Sequence, residues 1–169
     1  MKFSSRLFFI LIFFLNITQT NSSEPIAYID MDFIIQNSEI GKKTLDSIKI
    51  LNDKNINVLK KKEKILKDLE SKIISKKNII SKDNFDKEVL LLKDKANKFK
   101  QEQSKMVKDF NNFKKRELDG ILNKISPIIN AYMEKKSVKI LLDSKNILIG
   151  RSNLNLTNEV IKEINEKIK

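Results

Sequence analysis

From about Glu39 onward, apolar residues recur at alternating spacings of three and four, and the pattern runs with one break to Tyr132. Leu45, Ile48, Leu59, Leu66, Leu69 and Ile73 mark a first segment that reads as helix to about Ile80. Asn52 and Lys62 stand where apolar residues are expected, so the stripe is narrow and partly polar, as in an exposed coiled coil. A second segment runs through Phe85, Val89, Leu92, Ala96, Phe99, Gln103, Met106, Phe110 and Phe113. Its phase slips near Glu117 and resumes as Leu118, Leu122, Ile125, Ile129 and Tyr132, which changes the winding locally. Pro127 marks a kink, or the place where this helix meets a folded base. The break between Ser75 and Asn84 carries the helix-capping types Ser81, Asp83 and Asn84. Two amphipathic segments around a short turn make an antiparallel helical hairpin.

The ends of the chain read as strands. Ile26 to Ile35 is β-branched and aromatic and suits a buried strand of five or six residues, with Gln36, Asn37 and Ser38 as a turn or helix start. Val138 to Asp143 and Ile147 to Gly150 suit a β-hairpin around Ser144, Lys145 and Asn146. Thr157 is placed to cap a last helix carrying Val160, Ile161, Ile164 and Ile168. A lone strand cannot satisfy its backbone, so the two ends must meet. The expected fold is therefore α+β: a long antiparallel α-helical coiled-coil hairpin, an arm over residues 42–137 with its tip near 74–84, projecting from a small β-strand head. Residues 23–41 and 138–169 form that β-rich head. A base of this size is marginal alone, and oligomerisation through its strands is the remedy. Ile26, Tyr28, Ile29, Ile140, Leu141, Leu142, Ile147 and Ile149 are the candidate oligomerisation residues.

Residues 1–22 differ from the rest. Lys2 and Arg6 precede the apolar run Leu7–Leu15, and small polar residues follow, with Thr20 and Ser22 suited to a signal-peptidase site. The run is short for a membrane span and fits a cleavable export signal, an uncleaved anchor being the alternative. Export would carry the mature chain out of the cytoplasm. Composition narrows the chemistry further. The chain has no Cys and no His, which removes thiolate or imidazole metal sites and the usual nucleophile and base. Three glycines leave little for a phosphate loop; Gly41-Lys42-Lys43-Thr44 lacks the rest of such a motif and reads as a helix start. Asp30 and Asp32 have no further ligand pattern around them, and a capping or strand-end role fits them better than a metal site. No enzyme, cofactor or metal is expected. The formal charge of +12 would attract nucleic acid, acidic lipid or acidic proteins. Export argues against nucleic acid.

The start, IAYIDMDFIIQNSEIGKK from Ile26 to Lys43, resembles the opening of the Skp/OmpH family of periplasmic chaperones. The end resembles it too: ILLD at Ile140–Asp143, NILIG at Asn146–Gly150 and NLNLTNEVIKEIN at Asn153–Asn165. Ile149, Gly150 and Arg151 depart from the Tyr-containing strand of many relatives. The resemblance implies a homotrimer with a barrel-like head and three helical arms around a cavity. It also implies an ATP-independent holdase that keeps unfolded outer-membrane β-barrel proteins from aggregating until insertion.

Charge is uneven along the chain. Residues 42–82 hold 13 lysines against five acids, whereas residues 24–41 hold four acids and no base. At the tip Lys72, Lys76, Lys77 and Lys82 lie beside Ile73, Ile74, Ile79 and Ile80. Cations beside apolar residues could hold an unfolded chain through many weak contacts, and could touch acidic lipid or lipopolysaccharide; the plainer reading is a solvated tip. Of the phenylalanines, Phe85 and Phe99 are candidates for client contact, though most of the stripe can instead pack against the first helix. Two further classes stay open: a structural envelope coiled coil without chaperone activity, and a basic nucleic-acid binder.

Overall fold

The computed structural model describes residues 26–168; the export-signal expectation for residues 1–22 lies outside them. Strand β1 is Ile26–Ile29, followed by helices α1 (Met31–Asn37), α2 (Glu39–Ser75) and α3 (Lys82–Lys135). Strand β2 is Ile140–Asp143, and helix α4 is Thr157–Lys167 after two short 3₁₀ turns, Ser144–Asn146 and Ser152–Leu154. The chain is thus mostly helical, with a small two-stranded sheet. At 1.5 Å per residue, the 37 residues of α2 and 54 of α3 extend roughly 55 and 80 Å.

Three sequence expectations change here. The opening strand is only four residues long, because Asp30 turns the chain into a helix. Its Oδ1 accepts the Phe33 N–H at 2.9 Å, and the Ile34 N–H bonds to the Asp30 carbonyl. Capping thus overrides the β-branched run, and α1 buries Ile34 completely. Next, β2 does not form a hairpin with Ile147–Gly150, which is not a strand. Asp143 Oδ1 accepts the Lys145 N–H and starts a 3₁₀ turn that carries the chain away. β2 pairs instead in parallel with β1, Ile26 opposite Ile140 and Ile29 opposite Asp143. The head is therefore not β-rich. Last, Thr157 does not cap α4 with its side chain; Leu156 holds the cap position. Thr157 Oγ1 accepts the Asp30 N–H at 2.9 Å and donates to Asn155 Oδ1, while the Leu156 N–H bonds to the Tyr28 carbonyl. The hydroxyl thereby latches the C-terminal segment onto β1.

The core lies where β1, α1, α4 and the last turns of α3 meet. Ile29, Ile34, Ile121, Ile125, Ile129, Tyr132, Val160 and Ile164 form it. The phase slip near Glu117 lies just ahead of Ile121, the first residue of α3 in this core. Pro127 stays inside α3 without ending it.

At the junction of α1 and α2, buried Ser38 caps α2 by accepting the Gly41 N–H. Gly41 is buried, and a Cβ there would lie 1.8 Å from the Ile35 carbonyl oxygen. The other end of the hairpin stops differently. Ser137 takes a φ of 57°, its N–H bonds to Glu134 O, and the Val138 N–H bonds to Met133 O, which is a Schellman stop to α3. The left-handed backbone costs a non-glycine residue about 1–2 kcal/mol, offset for glycine by about 0.5–1 kcal/mol of lost chain entropy. Ser137→Gly should therefore raise stability by about 0.5 kcal/mol. Ser137→Val should lower it, and urea midpoints would show the opposite signs.

Candidate functional site

α2 and α3 pack antiparallel along the arm. Their contact is closed near the head by buried Ile48 and at the far end by buried Ile73. No other residue of α2 beyond Ile48, and none of α3 before Ile121, is fully buried. The seam between is half-exposed because Asn52, Asn55 and Lys62 occupy it. Lys62 is satisfied there by an ion pair with Glu102, and Lys76 closes the tip end on Glu88 at 2.9 Å. On α3 the half-buried positions include Phe85, Glu88, Leu92, Phe99, Met106, Phe110, Phe113 and Glu117. Val89, Ala96 and Gln103, expected in the seam, are exposed, because the helix presents its neighbouring ridge.

Imperfect closure leaves open clefts along this middle stretch. One of about 240 Å³ is lined by Ile65, Leu66 and Phe99 with Lys62, Lys95, Lys98 and Glu102. A longer one of about 520 Å³ includes Leu51, Met106, Phe110 and Phe113, with Lys105, Asp109 and Arg116 at its edge. Both are apolar floors with mainly cationic rims.

At the tip, Ile79 is 80% exposed and Ile74 is also exposed, with Lys72, Lys77 and Lys82 in solvent around them. Ile80, Phe85 and Phe99 are half-buried. Ile73 is the exception among the tip candidates: at 4% exposure it closes the hairpin and is not free to meet a partner. Apolar residues outside the heptad stripe carry no expectation from the sequence, yet Ile50, Ile65, Leu90, Leu91 and Val107 are all exposed on the arm. Their phase is the available signal, since each falls off the seam.

In the head, the sheet has two unlike faces. Ala27 and Ile29 point into the core and Leu141 packs against it, whereas Ile26, Ile140 and Leu142 are exposed and Tyr28 is half-buried. Ile29 is thus a core residue of the single chain, not a contact surface. Ile147 is half-buried and Ile149 exposed, and Leu148, absent from the residues expected to matter, is 97% exposed. Gly150 lies against the Tyr28 ring, so this loop folds back beside the outer sheet face.

Ion pairs tie the head's helices together on its surface. Lys135 of α3 reaches Glu163 of α4 at 3.1 Å, and Lys145 reaches Asp32 at 2.6 Å. The hydrogen bond from Lys135 holds the Glu163 carboxyl below its ordinary range, and the same bond holds Lys135 above its own. The bond to Asp32 likewise raises Lys145, and burial raises the Tyr132 phenol. These are structural clasps. Among the described residues no group of His, Cys, Asp or Glu is placed to hold a metal, and no helix is long and apolar enough to cross a membrane.

A family model described as outer membrane protein (OmpH-like) matches residues 25–164. Among solved structures, the chain is similar to a Caulobacter crescentus CB15 protein described as an outer membrane chaperone (OmpH-like). That likeness has a TM-score of 0.77 at 16% identity and covers 86% of each chain. No curated protein matches.

Proposed function

We propose that this chain, which belongs to the OmpH-like outer membrane protein family, is a periplasmic chaperone for outer membrane proteins. In finer terms, it is an ATP-independent holdase that captures unfolded outer-membrane β-barrels after export and releases them for insertion. The observation that carries this reading is the arm: two long helices whose seam is only half-closed and which carry further apolar side chains, among them Ile50, Ile65, Leu90, Leu91 and Val107, in solvent beside lysines. A purely structural coiled coil would gain stability from a closed seam. A surface that catches many chains needs weak, distributed contacts, whose sum gives affinity through avidity. Lys72, Lys76, Lys77, Lys82, Ile74, Ile79, Ile80, Phe85 and Phe99 remain the proposed client contacts.

Assembly belongs to the same proposal. Residues 23–41 and 138–169 serve as the head, and residues 42–137 as the arm. A two-stranded sheet is marginal in water. Although Asn155 and Leu156 bridge to Tyr28 on the far side of β1, the outer edge of β2 has no strand partner among the described residues. Here its outer face presents Ile26, Tyr28, Ile140 and Leu142 beside Ile147, Leu148 and Ile149. Three copies joined through these residues would cover that face and set three arms around a cavity. Export through a cleaved segment 1–22 brings the chain to its clients, and the cationic tip would also meet acidic lipid or lipopolysaccharide.

The test is to dilute a urea-denatured outer-membrane β-barrel into buffer with the purified mature chain and follow light scattering. Stoichiometric trimer should suppress aggregation without ATP, with multi-angle scattering of the same sample giving three times the chain mass. Unchanged aggregation would leave the structural coiled coil as the better reading.

A further inference from the structure

We propose that the cleft beside the Lys62–Glu102 pair is a subsite for one aromatic side chain flanked by carboxylates in an extended protein segment. This deepens the holdase reading and rests on it. At about 240 Å³ the cleft is smaller than the roughly 300 Å³ where small-molecule sites begin, and it suits a single large side chain. Its floor is Ile65, Leu66 and the half-buried Phe99 ring; Ile65 is 64% exposed, so the floor is open to a partner. A guest ring would gain aromatic contact with Phe99 and cation–π contact from the rim.

The rim sets which neighbours that ring can have. Lys62 and Glu102 neutralise each other as the end wall. Among the described residues no carboxylate forms an ion pair with Lys95 or Lys98, so two uncompensated ammonium groups border the apolar floor. Carboxylates on either side of a guest ring would meet these cations, whereas flanking lysines would be repelled. The same charge disfavours a second copy's arm as the occupant, since residues 42–82 alone carry 13 lysines against five acids.

The chain has no Trp, so a Trp in a short synthetic peptide reports binding without background. With the full mature protein, a peptide carrying Trp between aspartates should shift its emission to the blue; a lysine-flanked version should not. Lys95→Glu with Lys98→Glu should weaken binding about tenfold, as should Phe99→Ala, whereas Lys60→Glu with Lys61→Glu reverses equal charge outside the cleft and should change it less than about twofold. Because Phe99 also supports the seam, the deciding variants are the exposed lysine pairs, with far-ultraviolet circular dichroism checking that each stays folded. Equal weakening by both lysine pairs, or equal binding of the lysine-flanked peptide, would overturn the subsite. So would a Lys95/Lys98 reversal that abolishes binding to phosphatidylglycerol vesicles but spares the peptide. If the peptides fail to discriminate while the protein still suppresses client aggregation, only the subsite falls; if aggregation is not suppressed, the holdase reading falls.

Discussion

Ile125→Ala should destabilise the head by about 4 kcal/mol, near the upper part of the range for emptying a fully buried isoleucine site. Ile125 has 0% exposure and belongs to the one cluster that joins α3 to β1, α1 and α4. Little can relax into the gap, because the neighbouring side chains come from four different elements. The head is small, and whole domains hold only about 5–15 kcal/mol of net stability, so this loss is a large share of the total. A thermal midpoint lower by roughly 15 °C or more is expected for a unit this small. Of the two tyrosines, Tyr28 lies on the head's sheet and Tyr132, near the end of α3, is buried in the head's core, so tyrosine fluorescence reports that region while far-ultraviolet circular dichroism is dominated by the arm. The fluorescence midpoint should move. A midpoint within a degree or two of the parent would show that the cluster does not hold the head together.

Gly41→Ala should be nearly as damaging, about 3 kcal/mol, although it adds a single methyl group to a helix. Alanine ordinarily favours helix over glycine by about 1 kcal/mol. Here the methyl would meet the Ile35 carbonyl oxygen at 1.8 Å and the Ser38 hydroxyl at 2.8 Å. The first contact is with backbone and cannot be relieved by a rotamer change, so the end of α1 must move off the start of α2. That movement disturbs buried Ser38 and the bond from Glu39 N–H to Asn165 Oδ1 of α4. Gly120 is the internal control: nothing lies within 4 Å of a Cβ there, so Gly120→Ala should be neutral or stabilising. Urea denaturation of the two variants should give shifts of opposite sign or very different size; equal shifts would remove the steric account.

The arm was legible in the sequence because its cause is local. The alternation from Leu45 to Ile73 and the polar seam residues Asn52 and Lys62 need only the helix period to be seen. The head was legible in outline and misread in detail. Strand propensity was not decisive there: Phe33, Ile34 and Ile35 favour strand, yet one carboxylate, Asp30, nucleates a helix through them. That the strands at the two ends meet followed from the lone strand's need of a partner, but that β2 pairs with β1 alone did not, since the segment after Asp143 offered β2 a nearer apparent partner in Ile147–Ile149. Thr157 looked like a cap from its position, and only the approach of Asp30 from the far end of the chain gave its hydroxyl another role. In the candidate site, the cations and tip isoleucines were evident from composition. The clefts were not, because they arise from how two helices fail to close on each other.

The parallel strand pair also fixes an order of events. The Lys76–Glu88 contact joins residues 12 apart and Lys62–Glu102 joins residues 40 apart, whereas the Asp30–Thr157 bond spans 127. Closing short loops is entropically cheaper, and contacts of low sequence separation form faster. The arm can therefore zip from its tip toward the head, each turn drawing the two ends of the chain nearer. β1 has to wait for β2, which is made more than a hundred residues later. Assembly of the head is in effect a proofreading step: a chain cut short before Ile140 could form its arm but never the platform that carries it.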